Sequence, residues 1–289
     1  MTSGGKSNGI SRRDELELIR KYVYGCHILH RYNVVDAYGH LSVRLSPTVF
    51  MMARYMAPAL VSSTEDMVLY NVESGEALQK DAPKGRFLIL CQSGSMIFTD
   101  WVPATGFSER FIHSEIYKAY PHVQAVVHSH SLEVIPFSIS SIPLRACFHM
   151  AGFLGTAVPV FDAATVYRDN PSVSASHDML VRSTEMGAAL AKTLGPADGE
   201  GLPRCPVALM RGHGFVATAD SIEMAICKSI YTIQNAQVQR AAIGLSEEVR
   251  FFSEREAHDA GKTAMAGAAK PWPLWVAEVK SNRLYKNSV

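Results

Sequence analysis

Ala125-Val126-Val127-His128-Ser129-His130-Ser131 is the stretch on which the fold of this chain turns. A β-branched run ending in His-x-His reads as a buried strand, and side chains alternate faces along a strand. His128 and His130 therefore project from one face and Ser129 from the other. Two neutral imidazoles converging at a strand end can hold a divalent metal, but a third ligand is needed to complete the site. His213, in Leu209-Met210-Arg211-Gly212-His213-Gly214, supplies one. The expectation is a three-histidine metal site with an open position for substrate.

A chain with eleven histidines can carry His-x-His by chance, and two satisfied polar residues are the plain alternative. The surroundings weigh toward ligation. Residues 108–117, Ser-Glu-Arg-Phe-Ile-His-Ser-Glu-Ile-Tyr, begin with a cap-like Ser108 and place apolar residues at helical spacing. The pattern ends before Pro121. A helix starting at Glu109 and feeding into the His-x-His strand puts a carboxylate at the mouth of the site, acid/base chemistry beside a Lewis acid.

Outward from this centre, helical periodicity covers residues 11–31, with Ser11 as N-cap and acidic residues in the first turn. A loop then enters an alternating strand at Gly39-His40-Leu41-Ser42-Val43-Arg44-Leu45. Short strands are expected at 54–56, 67–71, 87–90 and 158–161, and a short helical segment at 134–139. A helix is expected over 176–194, capped by Ser176 and ended by Gly195-Pro196. Residues 207–210 and 215–218 pair around the Arg211-Gly212-His213-Gly214 turn, and long helices cover 221–245 and 254–265. The mixed order of elements implies one catalytic domain over residues 11–270, a central sheet flanked by helices. Residues 1–10 read as a disordered tail. Residues 271–289 hold two of the three tryptophans and read as an extension packing on the body or on a neighbouring subunit.

The bulk numbers exclude some functions. A formal charge of +1 gives no basic field for nucleic acid, and no apolar run is long enough to cross a bilayer. The 47% hydrophobic content in 289 residues supports a substantial core. Five dispersed cysteines without a Cys-x-x-Cys pair argue for reduced thiols in a cytoplasmic protein. No glycine-rich nucleotide loop is present.

Gly39-His40-Leu41-Ser42-Val43-Arg44, Ser108-Glu109, the His-x-His strand and Arg211-Gly212-His213-Gly214 resemble, in order, the motifs of the class II aldolase/adducin family. The late pattern Ile230-Tyr231…Asn235-Ala236-Gln237 is similar too, and the likeness spans roughly residues 14–250. It implies an α/β fold, a three-layer αβα sandwich with a central mixed, largely antiparallel sheet. It also implies assembly as a homotetramer with active sites at subunit interfaces. His128, His130 and His213 match the family's metal ligands, and Glu109 matches its catalytic acid/base. Two departures point away from sugar phosphates. His40 stands where those members carry Asn, and Thr105-Gly106-Phe107-Ser108 precedes Glu109, where bulky Phe107 ill suits a phosphate cradle. The resemblance is therefore to the branch acting on unphosphorylated oxo or aromatic acids, including decarboxylases.

The expected reaction is carbon–carbon cleavage, decarboxylation of a small oxo- or hydroxy-carboxylic acid through a metal-stabilised enolate. The alternatives are retro-aldol cleavage, an Fe(II)-dependent oxygenase on the same fold, and a non-catalytic adducin-like scaffold. Zinc is the first choice of metal, with Mn, Fe, Mg, Co or Ni as alternatives. His40 and Arg44 are candidates for binding the substrate carboxylate by charge-assisted hydrogen bonds, Arg44 equally for a structural pair. His149 is a candidate pocket residue or a buried structural histidine. Tyr231 either donates a proton or packs in the core of its helix. His113, one turn after Glu109, is expected to orient that helix.

Overall fold

A computed structural model describes residues 12–78, 87–90, 96–99, 106–173 and 176–289 of the chain. The first half holds α1 (Arg12–Arg31), β1 (His40–Ser46), β2 (Val49–Ala53), β3 (Met67–Asn71), β4 (Phe87–Leu90), β5 (Met96–Thr99), α2 (Arg110–Ala119), β6 (Ala125–Ser129) and α3 (Ile135–Ile139). The second holds β7 (Val160–Phe161), α4 (Ala163–Asp169), α5 (Thr184–Thr193), β8 (Val207–Met210), β9 (Gly214–Ala219), α6 (Ile222–Leu245), α7 (Glu254–Ala266) and α8 (Pro271–Ser281).

All five residues of β6 are buried, because this strand lies in the middle of the main sheet. That sheet runs β3-β2-β1-β6-β9-β8-β7, and β4 and β5 form a separate antiparallel pair. Every neighbour in the main sheet is antiparallel except β7 and β8, which are parallel. The sheet is thus mixed and largely antiparallel, as expected.

Strand alternation divides the interior into two cores. Leu41, Val43, Ala125, Val127, Phe215 and Ala217 face the core that includes Val23 of α1 and Ile226 and Ile230 of α6. Val126, Ala208, Met210 and Val216 face the other, with Ile112 and Ile116 of α2 and Met186 and Leu190 of α5. Helices on both faces make three layers. Each fully buried Ile, Leu or Val here contributes about 1.5–3 kcal/mol, so the layers hold together by area.

Four local expectations need correction. The strand expected at 54–56 lies earlier, at Val49–Ala53. Its pairing with β1 and β3 ends at Ala53, and Arg54 turns instead to an ion pair with Asp66 at 3.0 Å. The helix expected over 176–194 begins only at Thr184, capped by Ser183 rather than Ser176. Met179 adopts φ +69°, which breaks a right-handed helix, and its amide donates to the Tyr167 hydroxyl. Helix α4, capped by Asp162, was not anticipated. The N-cap of α2 is Glu109, one residue later than Ser108.

The C-terminal segment forms α8, started by Pro271. It buries Trp275 and Val279, packs on α1, and sends Tyr285 to stack on His27 at 5.0 Å. The expected tail over 1–10, the Ser11 cap, Thr105 and Cys91 lie outside the described residues.

Candidate metal centre

His128 is fixed by register. It sits opposite His40 of β1 on one side and Val216 of β9 on the other. Its Nδ1–H donates to the Phe215 carbonyl at 3.1 Å, so the lone pair is on Nε2. That Nε2 is buried and has no hydrogen-bond partner among the described residues. Burial keeps the His128 imidazole neutral, well below its usual pKa. His130 lies just beyond the end of β6, two residues on and so on the same face.

His213 comes from the turn between β8 and β9. Gly214 makes the approach possible: its φ is +154°, and a Cβ there would lie 1.9 Å from the Ser129 carbonyl oxygen. The result brings His213 Nε2 to 3.1 Å from His130 Nε2. Glu109, as N-cap of α2, does not cap the helix with its side chain. Its carboxylate turns to the histidines, 3.6 Å from His128 Nε2, 3.9 Å from His130 Nε2 and 3.6 Å from His213 Nε2. The Val181 amide donates to Oε1 at 3.1 Å and holds it there.

These four groups offer ligand atoms all within 4.8 Å of one another. Ligands about 2.0–2.1 Å from a tetrahedral ion stand roughly 3.3 Å apart. The separations of 3.1 to 3.9 Å therefore frame a space of the right size. They are also too long for strong direct hydrogen bonds from the imidazoles to the carboxylate. With the orphaned lone pair of His128, the donor set fits a divalent cation. Burial alone would raise the Glu109 carboxyl, but the neighbouring His130, His213 and His128 overrule it and hold it well below the usual range.

His40 stands beside this cluster, its ring 5.0 Å from His128 and 4.7 Å from Phe107. Burial pushes its pKa down to about 4. It is neutral, so a charge-assisted bond from this residue would take its charge from an ionised acceptor. Behind it, His113 is fully buried, linking His40 Nδ1 at 2.7 Å to Ser42 Oγ at 2.6 Å. His113 thus does more than orient its helix.

Arg44 is placed elsewhere. It shares a strand face with His40, but four residues along, where it donates to the Val123, Tyr117 and Tyr120 carbonyls at 2.8, 2.6 and 3.2 Å. These carbonyls lie in the last turn of α2 and just beyond it, and a cation there also meets the helix dipole. The carboxylate role expected of Arg44 gives way to this structural one. His149 and Tyr231 are not brought to the cluster either. Within one chain they line a separate cavity of about 850 Å³ with Met150, Asp259, Lys270 and Leu274. His149 is exposed rather than buried.

Several contributors went unnoticed in the sequence. Tyr38 lies 6.3 Å from His130, ring to ring, and Tyr55 lies 5.5 Å from Phe107. Both are more than half exposed, so they border the site with aromatic surface. The Asn235 of the late helix motif is structural. With Gln239 one turn on, it serves the backbone of Pro143, Arg145 and Cys147. Spacing four apart on one helix face was the signal available for that pair.

Three imidazoles and a carboxylate at one end of a mixed sheet between helical layers define a class II aldolase-type fold and site. The chain belongs to the class II aldolase/adducin family: residues 20–240 match the Class II Aldolase and Adducin N-terminal domain. It is 38% identical over 281 residues to the decarboxylase tropJ of Talaromyces stipitatus, covering 93% of this chain and 96% of that protein. A 3,4-dihydroxyphthalate decarboxylase of Arthrobacter keyseri is 26% identical over 124 residues, 41% of each chain. In structure, the L-fuculose 1-phosphate aldolase of Glaciozyma antarctica superposes with a TM-score of 0.66 at 19% identity, covering 98% of this chain and 97% of that one. The chain is an enzyme of the lyase class.

Proposed function

We propose that this lyase is a metal-dependent decarboxylase of a small oxo- or hydroxy-carboxylic acid, aromatic in the favoured case. The observation that carries the reading is the buried, unpartnered Nε2 of His128 aimed at Glu109 and grouped with His130 and His213. Likeness to a decarboxylase along nearly the whole chain supports the reaction type. Phe107, Tyr55 and Tyr38 support an aromatic, unphosphorylated substrate, since planar rings stack on such surfaces.

His128, His130 and His213 would hold the cation, with Glu109 a fourth ligand when no substrate is bound. Zinc is the first choice from three imidazoles. Its chemistry there is that of a Lewis acid, drawing electrons from the substrate's carbonyl or hydroxyl oxygen. Glu109, kept as a carboxylate, acts first as a base and takes the proton of the chelating hydroxyl. The bond to the carboxyl carbon then breaks, carbon dioxide leaves, and the electron pair stays on the substrate carbon. Glu109 returns its proton to that carbon, closing the balance. His40 donates a hydrogen bond to a substrate oxygen beside Phe107. Arg44 takes no part in the reaction. His149 and Tyr231 have no role within a single chain. We place the enzyme in the cytoplasm as a homotetramer, on the family resemblance and the free thiols of the described cysteines.

The test uses purified protein with 3,4-dihydroxyphthalate and simpler hydroxybenzoic acids as probes, following carbon dioxide release. Release that stops with a chelator, returns with zinc and is lost in His128→Ala supports the proposal. Aldehyde formation from an aldol probe, with no carbon dioxide from any acid, would replace it with the aldolase reading.

A further inference from the structure

The hydrogen bonds behind His40 have a direction. The Tyr117 hydroxyl lies 2.7 Å from Ser42 Oγ, Ser42 Oγ 2.6 Å from His113 Nδ1, and His113 Nε2 2.7 Å from His40 Nδ1. All four side chains are buried. Three proton arrangements satisfy these three contacts. In the first, Tyr117 donates to Ser42, Ser42 to His113, and His113 to His40, whose own proton is then on Nε2. In the second every bond is reversed and His40 carries its proton on Nδ1. In the third, Tyr117 and His113 Nδ1–H both donate to Ser42, His40 carries its proton on Nδ1, and the Ser42 hydroxyl proton is left without an acceptor.

The second arrangement strands the Tyr117 hydroxyl proton. Besides Ser42, the aromatic and charged neighbours of Tyr117 among the described residues are the Phe50 ring at 5.3 Å and the Arg44 guanidinium at 4.6 Å from the ring centre. An aromatic ring is at best a weak acceptor, and a guanidinium only donates. A buried donor left without an acceptor disfavours its arrangement by roughly tenfold or more. Either arrangement with the His40 proton on Nδ1 strands one buried hydroxyl proton, that of Tyr117 or that of Ser42, so the two hydroxyls at the far end decide which nitrogen His40 offers at the near end.

We propose that Tyr117, Ser42 and His113 are positioning residues that lock His40 as an Nε2–H donor beside the cluster. The enzyme then selects acids that present an acceptor oxygen there, a carboxylate or an ionised hydroxyl, next to the group that chelates the cation. A substrate analogue offering an amide N–H₂ in that place meets donor against donor. This selectivity rests on the reading of the cluster as the active site, whereas the tautomer does not depend on turnover.

The experiment labels histidine nitrogens with ¹⁵N and correlates them with ring protons, with and without added zinc, using His40→Gln to assign the signal. The expected result is a proton on Nε2 of His40 and a lone pair on Nδ1. His113→Gln keeps a nitrogen donor toward His40 and keeps that tautomer. His113→Leu removes the donor, and the His40 signal becomes an exchange average. A proton on Nδ1 in the native protein overturns the lock, as does a fixed Nε2–H signal that His113→Leu leaves unchanged. If His113→Leu does not fold, the native spectrum decides alone. On any acid that is turned over, kcat/KM should fall roughly tenfold in His113→Leu and be largely restored in His113→Gln. If no acid is turned over but the tautomer is as stated, the reaction falls and the lock stands. The reverse outcome removes the lock alone.

Discussion

Replacing Arg44 by Met separates a residue that holds the fold from one that greets the substrate. The guanidinium makes two short bonds, to the Tyr117 and Val123 carbonyls at 2.6 and 2.8 Å, and lies 4.6 Å from the centre of the Tyr117 ring. Two charged hydrogen bonds at roughly 1.5 kcal/mol each, with about 1 kcal/mol for the cation over the ring, sum to about 4 kcal/mol. Met fills much of the stem's volume, so the loss is chiefly that of the polar fork and not of packing. Urea titration at fixed protein concentration should show the midpoint falling by about 1 M or more with little change in slope. Arg44→Lys keeps the charge but not the planar fork and should recover only part of the loss. At temperatures where the variant stays folded, KM for the acid should match that of the native enzyme. A tenfold rise in KM with an unmoved midpoint would refute the structural role and return Arg44 to the substrate.

Three other outcomes are expected. His27 is buried on α1 against the Val61 carbonyl at 2.7 Å, and burial pushes its pKa from 6.5 down to about 4. The unfolded chain therefore takes up a proton that the folded chain refuses, and stability drains as pH falls from about 6.5 to 4. The loss at this residue approaches about 3 kcal/mol, so His27→Gln should show a shallower decline of urea midpoint with pH than the native protein. Gly214→Ala should weaken zinc binding tenfold or more in a competition titration, since the Cβ would meet the Ser129 carbonyl at 1.9 Å and displace the His213 turn. Elemental analysis should find a divalent metal in the native protein and in His122→Ala, an exposed position, but not in His128→Ala.

What the sequence revealed follows from where its signals are strong. The apolar run Ala125-Val126-Val127 was unbroken, because a strand in the middle of a sheet admits apolar residues on both faces, and so its ending in histidine stood out. Glu109 was legible as a helix-start carboxylate, although the cap itself fell one residue from where Ser108 suggested. For Arg44 the sequence left a carboxylate role and a structural pair open, because alternation gives a face but not a position along it. His40, Ser42 and Arg44 share a face, yet the strand carries the last of them past the site to the far end of α2. The late start of α5 turned on Met179 in the left-handed region, a conformation no propensity assigns to Met. His113 and Tyr117 lie four apart on α2, and spacing alone could not reveal that Ser42 would join them across the layers.

The pairing of His128 with His40 on one flank and Val216 on the other has a consequence for how this protein matures. A slip of one residue in either ladder would turn that imidazole into the opposite, hydrocarbon layer and swing a valine or serine into its place. At the proposed metal centre, cation uptake would therefore proofread strand registration. Molecules that have zipped correctly gain the binding energy, while misaligned ones forgo it, so metal supplied during refolding should raise the yield of native chains and not merely switch on those already formed.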